Sequence, residues 1–135
     1  MTTAQLMSRL VLIAAGGAVG TLLRYWLQGL LQTGAGGTFP LGTLVVNIAG
    51  CLVIGFLGAA FAGPVLVRED IRLALIVGVL GGFTTFSSFA YESLRLLNDG
   101  QYAWAALYVG GSNIVGLFAA WGGSRVALAI YGGSS

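Results

Sequence analysis

The hydrophobic positions of this chain fall into four long runs with few ionised residues inside them. The runs cover about residues 10–31, 41–62, 71–97 and 102–130. Each reaches the roughly 20 apolar residues that a helix needs to cross the hydrocarbon of a bilayer. Polar punctuation separates them. A Gly-rich stretch over 34–38, closed by Pro40, follows the first run. Gly63-Pro64 stops the second, and Arg68-Glu69-Asp70 makes the next loop. Asn98-Asp99-Gly100 is a turn signal after the third. The pattern predicts an all-α integral membrane protein of four transmembrane helices, in a single domain over residues 1–135. Arg9 and the apolar residues 10–15 resemble the start of a signal peptide. Three further runs follow, so the segment reads as a membrane helix that stays.

Composition sharpens this picture. The chain is 57% hydrophobic and 7% charged, against about 25% charged in soluble domains. So little polar surface suits lipid as the solvent. Twenty-three residues are glycine, and many lie inside the spans. Gly16 with Gly20, and Gly78 with Gly82, form small-xxx-small pairs that let helix backbones approach closely in lipid. There is no His and no Lys, and Cys51 is the single cysteine. It has no partner for an internal disulfide or a soft metal site, and reads as a small apolar residue. The net charge of +2 is too small and scattered for nucleic-acid binding. Arg9, Arg68, Arg72 and Arg125 fall on one side of the membrane; Arg95, and Arg24 if it reaches the surface, fall on the other. That asymmetry is weak and permits insertion in both orientations.

Enzyme constellations are absent from the sequence: no catalytic His or Cys pairing, no spaced carboxylate pair, no phosphate loop. Polar residues within the spans become the candidates for function. The third span carries Gly81-Gly82-Phe83-Thr84-Thr85-Phe86-Ser87-Ser88-Phe89 near its middle. Two glycines and four hydroxyl residues make a poor helix. A break is expected there, with freed carbonyls that must be buried in protein or line a cavity. Freed carbonyls are hard oxygen ligands for a cation. Phe86 and Phe89 share a face, as do Ser88 and Glu92. Asn47 sits within the second span, either bonding across helices or aiming its amide into a pore. Arg24 precedes Tyr25 and Trp26, either as an interfacial anchor or as a cation that draws anions to a vestibule. Glu92 and Arg95 are spaced to pair. Tyr108 and Ser112 share a face of the fourth span, beside Asn113.

These residues resemble the Fluc/CrcB fluoride channel family. The stretches that carry the likeness are residues 20–25 (Gly-Thr-Leu-Leu-Arg-Tyr), 42–47 (Gly-Thr-Leu-Val-Val-Asn) and 81–89. Their order, spacing and four-span layout cover essentially the whole chain. The resemblance implies a dual-topology antiparallel homodimer in the cell membrane, with two pores for passive fluoride efflux. It implies that Asn47 donates to the ion, that Phe86 and Phe89 are the paired pore phenylalanines, and that Ser87, Ser88, Tyr108 and Ser112 form a polar track beside them. Arg24 and Glu92 are expected near the vestibules. Gly81 and Thr84 are expected to offer carbonyls to a structural sodium ion at the dimer centre. The chain departs from the family at two positions. Phe83 stands where Leu is common. Gly116 stands one turn beyond Ser112, where some members carry a second hydroxyl.

The chemistry is coherent with that resemblance. Fluoride is small and strongly hydrated, so a dry pore must replace its water with amide, hydroxyl and aromatic-edge donors. Conduction asks for weak, multiple sites. The alternative class is a small dual-topology proton-coupled drug or cation antiporter. It needs a titratable carboxylate at mid-membrane; the first span has none, and Glu92 lies toward a helix end. A non-transporting subunit of a larger membrane complex is a third class. Efflux of fluoride against chloride, and cation uptake under a pH gradient, separate the three.

Overall fold

A computed structural model describes residues 1–132. Helix α1 is Thr3–Ala35 and α2 is Leu41–Ala62. The third span is composite: α3 (Glu69–Leu73), a π-helical stretch (Ala74–Leu80), α4 (Gly81–Phe83) and α5 (Phe86–Asn98). Helix α6, Tyr102–Tyr131, completes the described chain. All four spans are long and apolar enough to cross a membrane. Much of their surface is apolar and outward-facing, including Leu22, Trp26, Leu117 and Trp121, as lipid-facing helices require.

The first span is longer than its apolar run at both ends. Thr2 and Gln5 form a capping box, with the Gln5 amide donating to Thr2 Oγ1 at 3.2 Å and the Thr2 amide to Gln5 Oε1 at 2.8 Å. At the other end Gly36 takes φ 63° and donates to the Gln32 carbonyl, the left-handed C-cap that glycine permits. A helix of 33 residues is roughly 50 Å long, well over the roughly 30 Å of a bilayer's hydrocarbon core. Hydropathy alone could not reveal those polar turns.

Glycines bring backbones together. A Cβ on Gly20 would lie 2.0 Å from the Val79 carbonyl oxygen, and one on Gly82 2.5 Å from that of Gly17. Gly16 meets Ala74, and Gly78 meets Ile13, just as closely. Both small-xxx-small pairs therefore serve one contact, α1 against the third span. Between α2 and α6, Gly55 abuts Ala120 and Gly123 abuts Leu52 in the same way.

Polar contacts settle which ends lie together. Arg9 donates to Asp70 at 2.7 Å and to Glu69 at 3.1 Å, so the start of α1 stands beside the start of α3. On the opposite side Thr38 bonds Gln101, and Arg95 donates to the Thr38 carbonyl. Gln32 gathers the α1–α2 loop by donating to the carbonyls of Gly37 and Phe39 while accepting from the Gly42 amide. The core is small: Tyr108, Leu96, Val46 and Thr43 are its largest fully buried side chains.

The third span is broken, but over fewer residues than its composition suggests. Gly81, Gly82 and Phe83 remain helical; only Thr84 (φ −88°, ψ 156°) and Thr85 (φ −148°, ψ 114°) are extended. No water competes for the backbone inside a membrane, so glycine alone does not end a helix there. The helix stops where a better partner for the next amide is on hand.

Candidate functional site

That partner is Asn47. The Thr85 amide donates to Asn47 Oδ1 at 2.8 Å, and Asn47 Nδ2 donates to the Thr85 carbonyl at 3.0 Å. The side chain thus pairs with one extended residue as a neighbouring strand would. A primary amide carries two N–H groups, so one remains for another acceptor. Thr85 then caps α5: its Oγ1 accepts from the Ser88 amide at 3.2 Å and lies 3.1 Å from Ser88 Oγ. Ser87 Oγ is 3.4 Å from the same oxygen. The break leaves a capped helix N-terminus, the electropositive end of α5, within the span.

The carbonyls from Gly81 to Thr84 lose their usual helical donors here. An intact helix would close the Thr85 amide on Gly81 and the Ser88 amide on Thr84; both amides are engaged elsewhere. The Gly82 carbonyl between them accepts from Arg24 Nε at 3.0 Å. The Leu80 carbonyl receives both Thr84 groups, amide and hydroxyl. The chemistry of the freed oxygens of Gly81 and Thr84 suits a hard cation. Among the described residues no cluster of His, Cys, Asp and Glu offers a different metal set.

A continuous polar and aromatic line leads away from the break. The Phe86 and Phe89 rings are 5.6 Å apart, and Phe89 lies 5.3 Å from Tyr108. Tyr108 is fully buried, and its hydroxyl donates to Glu92 Oε2 at 2.7 Å. Thr43 Oγ1 donates to Glu92 Oε1 at 2.8 Å and accepts from Gln28 Nε2. Glu92 is thereby held by two neutral donors from two other helices.

Open spaces flank this line. A polar cavity of about 450 Å³ is lined by Gln28, Thr38, Thr43, Glu92, Arg95 and Asp99 among others. On the far side of Phe89, a groove of about 390 Å³ is walled by Asn47, Cys51, Thr85, Phe86, Phe89 and Ser112, with further apolar residues. The Ser112 hydroxyl oxygen is buried and has no hydrogen-bond partner. Phe86 is 80% exposed, so the protomer by itself does not close the groove.

The match to known proteins covers all of these residues. A family profile described as "CrcB-like protein, Camphor Resistance (CrcB)" matches residues 11–124. The chain belongs to the CrcB family. Proteins named fluoride-specific ion channel FluC are close relatives. One from Thermus thermophilus is 48% identical over 93% of this chain and its own full length. One from Nitratidesulfovibrio vulgaris is 45% identical over 85% of this chain and 93% of its own. One from Stutzerimonas stutzeri is 48% identical over the same shares.

Within this CrcB chain, Asn47, Phe86, Phe89 and Ser112 come together on the groove. Tyr108 and Glu92 meet at the next step of the line, with Ser87 and Ser88 at the α5 start. Arg24 stands apart, at the Gly82 carbonyl. The sequence reading missed Thr43, Gln28 and Thr85. Thr43 lies four residues before Asn47, and Gln28 four before Gln32, so each shares a helix face with another polar residue. That spacing was the available signal. In the sequence Thr85 is only one hydroxyl among four.

Proposed function

We propose that the chain is a fluoride-selective channel that carries the anion passively out of the cytoplasm. The observation that carries this reading is the groove beside the break, where neutral donors and the Phe86 and Phe89 rings come together. It includes a hydroxyl without a partner and an amide with a free N–H. An anion that has left water needs such groups, and neutral donors hold it weakly enough to let it move on. The α5 N-terminus adds positive potential at the narrow point. The relatives named as fluoride channels add their weight. Asn47, Ser112 and the Phe86 and Phe89 edges contact the ion; Ser87, Ser88 and Tyr108 continue the track; Glu92 and Thr43 stand at its mouth.

The working unit in this reading is a dual-topology antiparallel homodimer in the cell membrane. An exposed Phe86 beside a broken helix supports it. Freed backbone groups cannot face lipid, and a second copy would cover them. Gly81 and Thr84 carbonyls from both copies would hold the structural sodium ion, which supplies positive charge to oxygens that have lost their donors. The test is efflux from liposomes loaded with fluoride or chloride. Fluoride release with chloride retained is expected, and equal release of both, or of neither, would overturn the reading.

A further inference from the structure

Cys51 looks like filler in the sequence, but the structure sets it on the groove. Asn47 and Cys51 are four residues apart on α2 and both line it. Ser112 and Gly116 are four apart on α6, which packs along α2 through Gly55, Ala120, Gly123 and Leu52. A Cβ placed on Gly116 would lie 3.4 Å from the Cys51 sulfur. The thiol and a side chain at 116 therefore draw on the same space. Gly116 is buried and supplies no group, while Ser112, one turn away, holds a buried hydroxyl with no partner in the same groove. One turn on along α6, at Gly116, a polar line that reaches Ser112 meets no side chain. Across the helix contact from that turn, the Cys51 sulfur lines the same groove.

We propose that the Cys51 thiol is a group of the ion path, a weak S–H donor standing where a hydroxyl on residue 116 would otherwise stand. This rests on the reading of the chain as a fluoride channel. A thiol is a weaker donor than a hydroxyl, so it passes the anion on without trapping it. The path crosses from α6 to α2 at this level, and Gly116 makes the room.

The experiment uses the full chain in liposomes, with fluoride efflux read by electrode. Cys51→Val keeps the volume and removes the donor; efflux is expected to fall about tenfold, as for a lost hydrogen bond to a charged group. Cys51→Ser retains the larger part of the flux, and adding Gly116→Ser to Cys51→Val recovers most of it. Wild-type protein is also treated with methyl methanethiosulfonate. The Cys51 sulfur attacks the reagent, a disulfide to the S-methyl group forms, methanesulfinate leaves and the thiol proton passes to water. Mass spectrometry should show the added group and efflux should drop, while Cys51→Ser efflux is insensitive to the reagent. Wild-type efflux from Cys51→Val overturns the proposal. So does full modification without loss of flux, or a thiol the reagent cannot reach. If Cys51→Val fails to assemble, the reagent arm on wild-type protein decides. Absence of fluoride efflux from wild-type protein removes the channel reading too, whereas normal wild-type efflux indifferent to Cys51 removes this inference alone.

Discussion

Asn47 performs two tasks with one amide. It pairs with both backbone groups of Thr85 and keeps one N–H in reserve. Asn47→Leu should abolish fluoride efflux and leave two backbone groups unpaired, at about 1–3 kcal/mol each when buried. Asn47→Asp keeps the acceptor for the Thr85 amide but sets a negative charge on the proposed anion path. It should hold the break better than Leu and still fail to conduct. Efflux read beside hydrogen exchange at the Thr85 amide separates these roles, and normal efflux from either variant would remove Asn47 from the path. The two phenylalanines also differ. Phe89 packs at a tilt against buried Tyr108, while Phe86 is 80% exposed on the protomer. Phe→Ile retains bulk but loses the polarised ring edge. Efflux should fall sharply in at least one variant, with Phe89→Ile the more costly to stability. Two fully conducting variants would make these rings packing only.

At the scale of elements, the break depends on how tightly α1 and the third span are pressed together. Gly20 leaves no room for a methyl group, which would sit 2.0 Å from the Val79 carbonyl oxygen. Gly20→Ala must push the helices apart at the turn just before the break. It should cost about 1–3 kcal/mol as overpacking and reduce efflux as the Arg24–Gly82 bond lengthens. Gly29 on the same helix has open space around its would-be Cβ, so Gly29→Ala should be close to neutral. Thermal melts of the two variants in detergent make the comparison, and equal melting temperatures would contradict the packing argument. The glycine spacing announced a close contact; it did not say which helix each pair would meet.

At the scale of the whole molecule, the proposed second copy would cover the groove that one protomer leaves open. In the same proposal the freed carbonyls of Gly81 and Thr84 would hold the sodium ion. Replacing sodium by a much larger monovalent cation should weaken the dimer or silence the channel, read by single-molecule photobleaching and efflux in the same buffers. No change in either removes the ion from the account and leaves the pore assignment standing. Arginine placement bears on orientation. Arg24 is occupied at the Gly82 carbonyl and Arg9 with Asp70 and Glu69. Reporters at both ends of the unmodified chain should show both topologies, and a single topology would count against an antiparallel pair.

The chain's own order determined the membrane class, the four spans and the weak point in the third, because these follow from hydropathy and local propensity summed over many residues. The end of α2 at Ala62 and the start of α6 at Tyr102 were legible for that reason. Tertiary structure decided the rest. The break fell at Thr84–Thr85 and not at Gly81-Gly82, because only Thr85 meets Asn47. Thr43 and Gln28 joined Glu92 because three helices converge there. Arg24 turned to the Gly82 carbonyl, and Arg95 lines the polar cavity. In each case a polar group in a dry interior must take whatever partner the neighbouring helix brings within 3 Å or so, and no spacing within one helix can name a partner on another.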